Sequence, residues 1–142
     1  MVSMNIPPVR ILLTFLISAL LVAASTREGA LAKPTLTLVE VWKGGDDGLT
    51  NRLADALEDA FKSSSRFQLS TGKKPGTLVV TIPGNVEWKQ VGKRVQVLYT
   101  VEFASVDNRN IGVKKGSCWD DKLAECAAQI VDYAKIAAHK AH

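Results

Sequence analysis

Residues Ile11–Ala24 read ILLTFLISALLVAA and follow a short segment ending in a cation, Arg10. A charged stretch followed by an apolar run is the pattern of a secretory signal. As a helix the run would span about 21 Å, short of the roughly 30 Å hydrocarbon core of a bilayer. It reads as a signal rather than a membrane anchor, and it removes residues 1–32 from the folding problem. Small residues suit cleavage at Ala30-Leu31-Ala32 before Lys33, and again at Ala23-Ala24-Ser25 before Thr26. Cleavage after Ala32 is expected, because Lys33-Pro34 opens the first strand-like segment. Ser25 stands where a lipoprotein would carry its acylated cysteine, so the expectation is release without a lipid anchor.

Residues 33–142 then form a single expected domain of about 110 residues, enough for its own core. Setting aside Arg10, Arg27 and Glu28 from 18 basic and 14 acidic residues leaves a net charge of +3. A solvated surface accounts for that charge, and no nucleic-acid partner is expected.

Export also bears on Cys118 and Cys126, since an isolated pair in an oxidising compartment is usually bridged. Eight residues apart on one helix, their Cα atoms would be about 12 Å apart, beyond the roughly 7 Å a disulfide spans. A bridge therefore requires Cys118 to lie in a loop before the final helix and fold back, with Asp120 or Asp121 as N-cap. The competing start is Ser117, through the capping-box pattern Ser117-Cys118-Trp119-Asp120, which leaves two free thiols inside the helix. The compartment favours the bridge.

Hydrophobic periodicity orders the rest. Residues 35–42, TLTLVEVW, read as a strand, and Lys43–Gly48 as a glycine-rich loop. From Leu49 to Ser63, Leu49, Leu53, Ala56, Leu57, Ala60 and Phe61 share one helical stripe. Arg66–Ser70 is a short strand, and Thr71–Gly76 a turn-rich loop. Thr77–Ile82 alternates with Leu78, Val80 and Ile82 inward. Pro83 marks an edge or bulge before a continuation at Val86–Lys89. Lys93–Ser105 is the longest strand, with Val95, Val97, Tyr99, Val101 and Phe103 on one face. Asp107-Asn108 is expected to turn the chain and Ile111–Lys114 to return it. Lys115-Gly116-Ser117 then leads into a helix over Asp120–Ala138 with the stripe Leu123, Ala127, Ile130, Ala134 and Ala137. The expected fold is α+β: a mostly antiparallel sheet of four to five strands with two helices packed on one face.

Few residues offer chemistry. The only histidines, His139 and His142, lie in the C-terminal tail, poorly placed for a Ser-His-Asp or Cys-His centre. Two cysteines and two tail histidines do not make a closed zinc set, so no metal or cofactor is expected. Asp46-Asp47 and Asp120-Asp121 are candidate carboxylate pairs for a small hydrolase, but loop solvation and helix capping explain them as well. Gly44–Gly48 lacks the Gly-Lys-Ser/Thr ending of a phosphate loop, and its acids would repel an anion. Trp42, Trp88 and Trp119 are the strongest binding candidates, each beside a charge: Lys43, Lys89 and Asp120. Such residues either contact a partner or close the ends of the core. Lys73-Lys74 and Lys114-Lys115 read as basic turns.

The segment Gly48–Leu69, GLTNRLADALEDAFKSSSRFQL, resembles the N-terminal domain of TolB and related periplasmic envelope proteins. These include the curli-secretion and penicillin-binding-protein-activator families. Leu53, Leu57, Phe61, Ser64 and Phe67 carry the likeness, which covers the front half of residues 33–142. The resemblance implies a strand–helix–strand module, without catalytic residues, that docks on another envelope component. Two departures stand out: no propeller follows, and no lipidation cysteine precedes.

The expected function is therefore an exported soluble, non-catalytic module contacting an envelope protein or polymer through Trp42, Lys43, Trp88, Lys89 and Trp119. The alternatives are a secreted hydrolase inhibitor inserting Thr71–Gly76, or a carboxylate hydrolase.

Overall fold

The structure, a computed structural model, describes residues 34–141. The expected signal 1–32, with Ser25 and the Ala32 cleavage site, lies outside the described residues, as does His142. The elements are β1 (Thr37–Lys43), α1 (Gly48–Lys62), β2 (Phe67–Leu69), β3 (Leu78–Ile82), β4 (Glu87–Val91), β5 (Arg94–Ser105), β6 (Asn110–Trp119), a 3-10 turn (Asp120–Lys122) and α2 (Leu123–Lys140).

Alternation along each strand sorts the side chains onto two faces. Val39, Leu78, Val80, Ile82, Val97, Tyr99, Val101 and Phe103 point to one face and are buried there. The helices cover that face with Leu53, Leu57 and Phe61 of α1 and Ala127, Ile130, Ala134 and Ala137 of α2, all at most 1% exposed. Aromatic pairs tie the layers together: Phe61 meets Phe67 edge-on at 5.1 Å, and Phe103 meets Tyr133 at 5.0 Å. The Tyr99 hydroxyl donates to Gln129 Oε1 at 2.8 Å, and burial pushes its pKa up.

The α+β architecture with both helices on one face is as expected, but the sheet is mixed. β1 lies between β2 and β3 and is parallel to both, while β3, β4 and β6 pair antiparallel with β5. The described strands number six. β3 and β4 lie end to end along the same side of β5, with Thr81 opposite Glu102 and Glu87 opposite Leu98. Pro83–Val86 is the step between them, which is the interruption Pro83 implied.

The step is pinned from the helix side. The backbone N–H of Val86 donates to the buried Thr50 Oγ1 at 2.9 Å, and Asn85 Oδ1 accepts from the backbone of Asp46 at 2.9 Å. This packing explains the glycine loop. A Cβ on Gly44 would come within 2.3 Å of the Pro83 carbonyl oxygen, and one on Gly45 within 2.3 Å of Asn85 Oδ1. Asp47 is the N-cap of α1, its Oδ1 accepting from Thr50 N–H at 2.7 Å.

Four expectations near the C-terminus are corrected. Lys115-Gly116-Ser117 is not a loop but the middle of β6, so Lys114-Lys115 is not a turn either. Gly116 serves close packing: a Cβ there would lie 2.3 Å from the Tyr99 hydroxyl on the neighbouring strand. Cys118 is therefore on a strand rather than in a loop. The bridge to Cys126 forms all the same, with Cα atoms 5.6 Å apart, because the strand-to-helix corner folds the chain back. Neither proposed cap operates. Trp119 precedes the 3-10 turn and Lys122 precedes α2, and neither makes a side-chain capping bond.

Candidate functional site

The second face of the sheet carries no helix among the described residues. It presents Leu38, Glu40 and Trp42 from β1, Val79 and Thr81 from β3, and the alternate residues of β5 and β6. One segment crosses it. β2 ends and β3 begins opposite the same residue, Val39, on either side of β1. The link Ser70–Thr77 must therefore pass over β1. It does so on the uncovered face, where Gly72 N–H donates to Glu40 Oε1 at 3.3 Å. Glu40 Oε2 is buried beside it without a hydrogen-bond partner.

This strap and the β5–β6 turn wall a cleft of about 320 Å³, lined by Trp42, Lys43, Lys73, Val79, Val106 and Asn108. Trp42 forms its apolar side and is 51% exposed. Lys43 is held by its ammonium against Asn51 Oδ1. A larger cavity of about 570 Å³ lies at the β3–β4 step, lined by Pro83, Asn85, Glu87, Leu98, Thr100 and Lys115.

Trp42 and Trp88 do not close the ends of the core, since they are 51% and 62% exposed. Nor do they form one site. Trp42 lies opposite Thr81, level with Glu102 of β5, whereas Trp119 pairs with Gln96 at the far end. Strand spacings place these two about 25 Å apart on the same face. Trp88 and Lys89 belong to β4, and Trp88 points to the opposite face. Trp119 is partly buried under Arg94, whose guanidinium lies 4.0 Å from the ring centroid.

The carboxylate pairs have structural engagements. Asp47 caps α1. Asp121 accepts from Arg94 at 3.0 Å, which holds its carboxyl below the usual carboxylate range, and the Asp120 carbonyl accepts from Arg52 at 2.8 Å. Asp107 is likewise held low, chiefly by the Ser105 hydroxyl. His139 lies in the last turn of α2, beside Thr35 and Arg66 rather than at the Trp42 cleft. Among the described residues no group of three or more His, Cys, Asp or Glu is placed to hold a metal ion. No helix among them is long and apolar enough to cross a membrane.

Two participants were not apparent from sequence: Glu40, which anchors the strap, and Thr50, which anchors the step. Thr50 lies on the stripe shared by Leu53, Ala54, Leu57 and Phe61. A polar β-branched residue on an apolar stripe was the available signal.

No family model matches the chain, and no curated protein matches it. Among solved structures, a Xanthomonas campestris protein of the DUF330 family shares the fold at a TM-score of 0.56 and 12% identity, over 77% of this chain and 90% of that one. A minor lipoprotein from Acinetobacter baumannii does so at a TM-score of 0.54 and 10% identity, over 75% and 94%. At these identities the likeness is one of fold. Neither is a TolB protein, so the TolB resemblance rests on the sequence pattern of Gly48–Leu69.

Proposed function

We propose that the chain is an exported, non-catalytic binding module of the bacterial envelope that takes a protein or polymer partner at Trp42. The observation that carries this reading is the cleft on the uncovered face, where a half-exposed tryptophan is walled by two loops. A large aromatic side chain left in water on an ordered sheet is a ready contact surface. The signal-like start of the chain supports an envelope location, as does the fold shared with a bacterial minor lipoprotein. The structural engagements of Asp47 and Asp121 support a non-catalytic role.

The test places a photo-crosslinking phenylalanine analogue at position 42 and, as a control, at the equally exposed Ile136 on α2. Irradiation in envelope extract should give a product from position 42 only. Trp42→Ala should abolish co-sedimentation of the protein with that partner. Capture that survives Trp42→Ala would sink the reading.

The hydrolase-inhibitor reading draws on Thr71–Gly76, which is exposed throughout. Tied to Glu40 and laid over β1, however, the segment has the geometry of a strap rather than of a projecting inhibitory loop.

A further inference from the structure

Every residue of β4 is exposed. Its inner side pairs with β5, and its outer side has no partner strand among the described residues. Beyond the last β6 pairing, Gln96 with Trp119, the tip of the β4–β5 hairpin is two-stranded, with Gln90 and Val91 paired only to Val95 and Arg94. A two-stranded tip of this kind is marginal in water by itself, and the unpaired outer edge of β4 is a template for another strand.

The turn decides which backbone groups that edge offers. Val91 pairs with Arg94 across the two-residue turn Gly92-Lys93, and Gly92 has φ +60°. That fits a II′ hairpin, in which the residues flanking the turn exchange both hydrogen bonds. Glu87, Lys89 and Val91 therefore direct their N–H and C=O groups toward β5, while Trp88 and Gln90 direct theirs outward.

We propose that β4 is a self-association edge, pairing antiparallel with β4 of a second copy about a two-fold axis at Trp88. In that register Trp88 exchanges both backbone hydrogen bonds with Trp88 of the second copy. Glu87 lies opposite Lys89 of the second copy, and Lys89 opposite its Glu87. Both ion pairs fall on the same face, and the two indole rings lie side by side on the other. Competing registers are poorer. An axis at Lys89 sets two ammonium groups face to face, and an axis at Gln90 moves the cation opposite Glu87 to Lys93, in the turn past the end of β4. Like charges directly opposed across strands destabilise pairing, and opposite charges favour it. Among the described residues neither Glu87 nor Lys89 takes part in an ion pair within its own chain. The pairing ends at Val86, whose N–H belongs to Thr50.

Sedimentation velocity over a concentration series tests this on the purified protein. The wild type should form a dimer as concentration rises. Glu87→Lys and Lys89→Glu alone each oppose like charges twice and should weaken the dimer by about tenfold or more. The charge-swapped double variant Glu87→Lys/Lys89→Glu restores both pairs and should recover the wild-type dissociation constant. Thermal unfolding of each variant confirms that the monomer is intact. A wild type that stays monomeric across the series overturns the proposal. So does a dimer indifferent to Lys89→Glu, or a folded double variant that fails to recover.

Discussion

The hydroxyl of Thr50 and the backbone N–H of Val86 are joined by a 2.9 Å hydrogen bond, and Thr50 has no exposed surface. Through it the first turn of α1 holds the point where β3 gives way to β4. Thr50→Val keeps the shape but leaves the Val86 N–H without its partner in a buried site, which costs about 1–3 kcal/mol. Thr50→Ser keeps the bond and loses one buried methyl, about 0.8 kcal/mol. Urea titration should rank wild type above Thr50→Ser, and Thr50→Ser above Thr50→Val. Equal stability of Thr50→Val and wild type would show that the step is held by something else.

Gly116 and Tyr99 compete for one volume. Gly116→Ala should destabilise by about 1–3 kcal/mol, the usual cost of overpacking. A smaller residue at position 99 should relieve part of that cost, so Gly116→Ala and Tyr99→Leu together should cost less than the sum of the two alone. Additive losses in a double-mutant cycle would deny the clash.

The Cys118–Cys126 bridge closes a short loop at the strand-to-helix corner. Chain-entropy arguments give about 2.5 kcal/mol for a loop of this length. The double substitution Cys118→Ser/Cys126→Ser should lower stability by about that amount and make thermal unfolding insensitive to reductant. A wild type whose melting temperature does not move under reduction would contradict it.

Asp121 is held below its ordinary carboxylate range by Arg94, so the unfolded chain takes up its proton first on acidification. The pair's contribution is complete above the unfolded value, about 3.9, and is lost as pH falls through the lower, folded value. Both partners are exposed, so the contribution is small. Asp121→Asn should therefore be slightly less stable than wild type at neutral pH, and the two melting curves should converge toward pH 2. A difference that persists there would place the effect in packing rather than charge.

Trp42→Ala and Trp88→Ala should each change stability by no more than about 0.5 kcal/mol, as surface substitutions do. Guanidinium titration is sufficient to check this. A loss of several kcal/mol for either would mean that its ring supports the core.

Where burial has a period, the sequence was readable. The α2 stripe Leu123, Ala127, Ile130, Ala134 and Ala137 is buried as expected, and so is the inward set of β5 from Val97 to Phe103. Two kinds of feature escaped. Gly116 carried a turn signal, but its role is set by a tyrosine seventeen positions upstream that meets it only across a strand pairing. The parallel arrangement of β1, β2 and β3 depends on the side of β1 over which Ser70–Thr77 passes. The residues Thr71–Gly76 would serve a hairpin equally well, and only Glu40 shows where they go. The candidate site was legible as residue types and not as a place. Trp42 and Trp88 are exposed, yet strand parity sends them to different faces.

β5 lies against three other strands at once, and its two sets of alternating residues differ sharply in polarity. If it slipped by a single position against β6, Gln96, Thr100 and Glu102 would turn toward the helices while Val97, Val101 and Phe103 would face water. From Gln96 to Phe103 that alignment is right throughout or wrong throughout, and the register against β6 shifts only beyond, between Phe103 and Ala104; the Asp107-Asn108 turn and the Gly92-Lys93 turn are the two clasps that set it.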